Sequence, residues 1–153
     1  MRTHMTLDDG DARTAIAAIH EEAVRRGKRA IIAVADSHGE LIGLLRMTGA
    51  ALSSIGVATN KAFTAARLRR PSRTIGRNAR DPAKGFDISY YGDPRYVGWG
   101  GGLPVLVDDV VIGAVAVSGL TEDEDEELAA LGIAAIHAMQ QAGPGAPAPK
   151  PAP

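Results

Sequence analysis

Two pairs of short apolar runs, each split by a turn too short for a helical crossover, constrain this chain more than any other feature. The first pair is AIIAVAD (30–36) and ELIGLLR (40–46), separated by Ser37, His38 and Gly39. The second is LPVLV (103–107) and VVIGAVAVSG (110–119), separated by Asp108 and Asp109. Runs rich in β-branched residues around a tight turn pair antiparallel, because parallel neighbours need a crossover of a dozen or more residues. Two hairpins are therefore expected.

Helical spacing fills the intervals. Thr6, Asp8 and Asp9 can cap a first helix carrying Ala12, Ile16, Ile19 and Ala23 at helical spacing, with Gly27 as its stop. A second helical pattern runs from Gly49 to Arg70, where Pro71 ends it. Thr121 and Glu124 form a capping box for a last helix reaching about Gln141. Between 71 and 98, prolines and glycines without a sustained period predict a long loop with a short helix. The order α-β-β-α-loop-β-β-α predicts a single α+β domain, an antiparallel sheet of about five strands flanked by helices. Residues 6–141 form that domain, after a flexible N-terminus (1–5) and before a disordered Pro/Ala-rich tail (142–153).

Composition narrows the function classes. Aromatic residues are only 4% and Ala and Gly abound, so the core must close through small side chains and close backbone approach. The absence of cysteine excludes disulfides, thiolate metal sites and a cysteine nucleophile. A net charge of -1 gives no global field for nucleic acid. No apolar leader region or stretch of membrane-spanning length is present, so neither a membrane nor a nucleic-acid partner is expected, and the expected location is cytoplasmic.

The glycines of VGWGGG (97–102) precede a strand, whereas a phosphate cradle needs them to open a helix. They are expected to allow close backbone approach, with Trp99, Gly101 and Gly102 flooring any pocket. In the second helix, Leu52, Ile55, Thr59, Ala62, Phe63 and Ala66 share one face and Lys61 points the opposite way. Its neighbours there are small or apolar, so the helix should be covered on both sides, at a subunit interface or under a pocket. Lys61, the one charge between Gly49 and Ala66, is either a ligand-binding or catalytic cation or half of a structural ion pair. His20 edges the apolar stripe of the first helix, where an imidazole could ligate a haem iron or simply pack. Six arginines between Arg67 and Arg80 lack an aromatic platform and read as a solvated or intersubunit face. Most of the aromatics, Tyr90, Tyr91 and Trp99 among them, fall in one loop and suggest a ligand wall, with Asp93 either a turn residue or an acid-base group.

The segments IAVADSHGELIGLLRMTGA, ATNKAFTAARLRRPS and GGLPVLVDDVVIGAVAVSGLTEDEDEELA, in this order, resemble the small haem-binding and haem-degrading family that includes GlcG, HbpS and the C-terminal domain of PduO. The resemblance implies an antiparallel sheet flanked by helices, assembly into dimers or octamers, and haem or a related planar cofactor as ligand. Arg46, Met47, Gly49 and Ala50 match the family's Arg-Met-Asp-Gly-Ala motif, with Thr48 in place of the aspartate. His20 falls in the helix where some members place a haem-ligating histidine. Two readings follow: a haem-type binding protein, or a cofactor-independent enzyme on a small anionic or aromatic metabolite. In the second, Arg46 and Lys61 would fix an anion and Tyr90, Tyr91 or Asp93 would shuttle a proton.

Overall fold

The computed structural model describes residues 4–143; residues 1–3 and 144–153, with nearly all of the expected tail, lie outside the described residues. The strands are β1 (Ile31–Asp36), β2 (Leu41–Arg46), β3 (Gly102–Val107) and β4 (Val110–Ser118). They form one antiparallel sheet of four strands in the order β2-β1-β4-β3, with both expected hairpins in place. The expectation of about five strands is corrected to four. The stretch that could have supplied a fifth carries Pro82 and Pro94, which lack the N–H a ladder needs, and holds only a 3-10 turn at Ile88–Tyr91.

Four helices flank the sheet: α1 (Asp9–Arg25), α2 (Ser54–Leu68), α3 (Ser72–Ala79) and α4 (Glu122–Ala142). Asp8 and Asp11 form a capping box at the start of α1, and Thr121 and Glu124 form one at the start of α4. Strand alternation sorts side chains by size. Ile32, Val34, Val115 and Val117 join Ala15, Ile19, Leu128 and Ile136 in the main core against α1 and α4. On the opposite face, Ala33, Ala35 and Ala116 meet Ala58 and Ala62 of α2. Methyl-sized contacts on both sides bring α2 close to the sheet, which is how a chain poor in aromatics reaches core density.

Helix α2 starts at Ser54, later than the spacing suggested, and leaves Leu52 67% exposed. Every residue from Lys61 to Ala66 is buried. The expected two-sided cover exists, but the outer cover is the chain's own loop. Thr64 Oγ1 accepts from Val97 N at 3.0 Å and donates to Arg95 O at 3.3 Å. The Phe63 ring lies beneath the Arg95 guanidinium, 3.9 Å from its centroid, and packs on Tyr96 at 5.0 Å.

Candidate functional site

Lys61 faces a carboxylate and a carbonyl of its own chain. Its Nζ donates to Asp125 Oδ2 at 2.9 Å and to Val117 O at 3.0 Å, and both charged side chains are 3% exposed. Of the two roles open to Lys61 from sequence, the ion pair is the one with geometry. The glycines build the chamber around it. A Cβ on Gly101, whose φ is +123°, would lie 2.9 Å from Lys61 Nζ and 2.5 Å from Val117 O. One on Gly102 would lie 2.4 Å from Lys61 O. Close backbone approach is thus the use of these glycines, and what they approach is α2, with Ser72 Oγ accepting from Gly102 N at 3.0 Å. Burial pushes the Asp125 carboxyl above its usual range against the pull of Lys61.

The acidic start of α4 does more than open a helix. Glu122 accepts from Gly100 N at 2.7 Å, and Arg73 reaches Asp123 at 2.8 Å and Glu126 at 3.0 Å. Glu124 binds Lys28 at 2.8 Å, and Glu127 binds Arg26 at 2.9 Å. Local spacing marks only the Thr121–Glu124 capping box here and does not show that these carboxylates tie the end of α1, α2, α3 and the glycine loop to one helix end. The available signal was the number of acids, more than a macrodipole can use.

The tyrosine loop holds less chemistry than its composition suggested. Asp93 accepts from Arg95 N at 2.9 Å and pairs with Arg95 Nη2 at 3.0 Å, and that guanidinium keeps its carboxyl below the usual range. This is a turn residue locked in an ion pair. Tyr91 packs between Tyr96 and Phe86 at 4.6 and 5.6 Å, while Tyr90 is 83% exposed and Trp99 58%. Trp99 contributes its carbonyl, which accepts from Ser72 Oγ at 2.6 Å. Neither Trp99 nor the glycines line either of the two clefts described below. Among the described residues, no hydrogen bond, ion pair or ring contact joins Arg46, Lys61, Tyr90, Tyr91 and Asp93 to one another.

A different grouping does form. His20, on the exposed side of α1, lines a cleft of about 310 Å³ with Val24, Lys28, Arg29, Met47 and Thr48. The turn after β2 shapes one wall. Met47 N donates to Ala30 O at 3.1 Å and its side chain enters the core, while Arg29 Nη1 donates to Thr48 O at 2.9 Å. Thr48, where the family motif carries aspartate, therefore faces the same cleft as His20. Arg46 stands exposed at the end of β2 and is not among the residues lining it.

Comparisons with known proteins agree with the fold. GlcG of Escherichia coli strain K12 is 36% identical over 118 residues, covering 77% of this chain and 85% of GlcG. The crystal structure of Klebsiella pneumoniae protein ORFY superposes with a TM-score of 0.83 at 28% identity, covering 90% of this chain and 95% of that one. The crystal structure of a PduOC:heme complex superposes with a TM-score of 0.78 at 25% identity, covering 86% and 95%. Residues 7–134 match the family described as "Haem degrading protein HbpS-like", and the chain belongs to that family.

Proposed function

We propose that this protein binds haem, or a closely related planar cofactor, at the cleft beside His20. The observation that carries this reading is an exposed imidazole in one cleft with an apolar wall and the Arg29 guanidinium. Val24 and Met47 offer that wall, and Arg29, which holds no carboxylate among the described residues, supplies positive charge for carboxylate substituents, while Lys28 is held by Glu124. No hydrogen bond engages the His20 ring among the described residues, so either nitrogen is free to ligate. The donor set suits the group. Haem, when bound, supplies a redox-active iron; His20 would hold it, Arg29 would orient it, and Val24 with the edge of Met47 would give it apolar contact. Thr48 in place of an aspartate removes a negative charge that would oppose anionic substituents.

The cleft accommodates only part of a macrocycle, so the rest of its face needs other cover. Assembly into dimers or octamers, as the family resemblance implies, belongs to the same proposal and is read by gel filtration with and without haem. Membership of a haem-degrading family and the heme-bound PduOC neighbour support the reading. Titrating hemin into the purified protein should give a Soret band that persists through gel filtration and is abolished by His20→Ala. No band, or one that His20→Ala leaves unchanged, rejects the site.

A further inference from the structure

A second cleft, sharing no lining residue with the first, lies between the β3 edge of the sheet and α4. It has a volume of about 450 Å³, and its lining includes Arg69 and Arg70 from the α2–α3 link, Leu103 and Leu106 from β3, and Ala130 and Ile133 from α4. No carboxylate lines it. We propose that this cleft binds a small carboxylate carrying an apolar body, with Arg69 and Arg70 as the anion clamp.

Three observations converge. The first is charge. Arg13, Arg25, Arg26, Arg67, Arg73 and Arg95 each hold a carboxylate; Arg29, Arg46, Arg69, Arg70, Arg77 and Arg80 hold none among the described residues, and of these only Arg69 and Arg70 line this cleft. Two consecutive arginines without a carboxylate, lining a cleft with Leu103, Leu106, Ala130 and Ile133, match an amphipathic anion, because the planar fork takes carboxylate oxygens in pairs. The second is backbone conformation. Arg69 ends α2 in the left-handed region, with φ 56° and ψ 36°, where glycine or asparagine is the ordinary occupant. Both Arg69 and its neighbour Arg70 line the cleft, and such backbone outliers gather at binding sites. The third is the edge itself. Pro104 on β3 lacks a ladder donor, which blunts this edge against pairing with a strand of another chain. A small ligand is therefore favoured over a second copy added to the sheet. The volume falls in the range of small-molecule sites.

The test uses benzoate and hexanoate as probes on the full chain by calorimetry, with benzyl alcohol and 1-hexanol as neutral counterparts and inorganic phosphate as an anion without an apolar body. The carboxylates should bind with Kd of about 1 mM or tighter, and the alcohols and phosphate about tenfold more weakly. Arg69→Gly removes the guanidinium and suits the left-handed backbone, so it should keep or raise Tm while weakening benzoate about tenfold. Arg70→Gln should weaken it similarly, and His20→Ala should leave it unchanged. The proposal is overturned by no carboxylate binding at roughly 10 mM, by equal affinity for benzoate and benzyl alcohol, or by full affinity in both arginine variants. It is equally overturned if Leu106→Glu dissociates an assembly of the wild-type chain that binds no probe, since the cleft would then be an interface between copies.

Discussion

Lys61 Nζ lies 2.9 Å from Asp125 Oδ2, with both side chains 3% exposed, and this pair joins the middle of α2 to the first turn of α4 across the end of β4. Separated by 64 positions, the two residues close the largest loop in the fold that any buried ion pair spans among the described residues. Asp125→Leu should cost about 3–5 kcal/mol because it strands a buried ammonium, and Lys61→Met should cost a similar amount. The double variant should recover much of that loss. Urea unfolding of the four proteins measures the coupling; additive losses would show that the pair does not act as a unit.

The glycine chamber makes a second prediction. Gly101→Ala should destabilise by more than about 3 kcal/mol or block folding, since its Cβ would press on Val117 O and Lys61 Nζ at a φ of +123°. Gly56, in the first turn of α2 with nothing within 4 Å of an added Cβ, provides the contrast. Gly56→Ala should stabilise by about 0.5–1 kcal/mol through helix propensity. Thermal unfolding of both variants checks the pair.

Ser72 is fully buried and links the start of α3 to β3, accepting from Gly102 N and donating to Trp99 O. Ser72→Ala leaves Gly102 N without that partner and should cost about 1–3 kcal/mol. Hydrogen exchange at Gly102 should quicken in the variant; an unchanged rate would mean that another acceptor takes over.

Acid stability follows from two glutamates. Arg25 and Arg26 hold Glu22 down from 4.5 to about 2, and Lys28, with the Thr121 cap, does the same for Glu124. A carboxylate whose pKa is lowered on folding stabilises above its unfolded pKa, and that contribution is lost as pH falls through the folded value. Stability from these groups should therefore be complete above about pH 5 and fade between pH 4.5 and 2. Asp125, raised by burial, runs in the opposite sense and shallows the slope. A Tm-against-pH series should show a flatter acid limb for Glu124→Gln than for wild type, and an identical limb would remove Glu124 from the account.

Turn chemistry and alternation made the hairpins readable in advance: Asp108 and Asp109 take φ of 48° and 62°, as a tight two-residue turn demands. The first and last helices were equally legible because Asp8 and Thr121 are local signals, satisfied within a few residues. The glycines could be assigned to backbone approach for the same reason, since they enter a strand. Lys61 was different. Sequence showed a lone charge on a small-residue face and left two roles open, because its partner lies beyond α3, the loop and a hairpin.

What the sequence determined by itself is the element order, the antiparallel pairing and the family, all of which rest on periodicity and short-range spacing. Tertiary structure alone decided which acid takes Lys61, that Arg95 and Tyr96 cover α2, that His20 meets Met47 and Thr48 in one cleft, and that Arg69 and Arg70 remain without a carboxylate among the described residues. Local spacing fixes which face a side chain leaves its own element from; the packing of distant elements fixes what it meets there. Most of the charge pairing in this protein is of the second kind, since the carboxylates of a single helix start serve cations drawn from α2, α3 and the α1–β1 link.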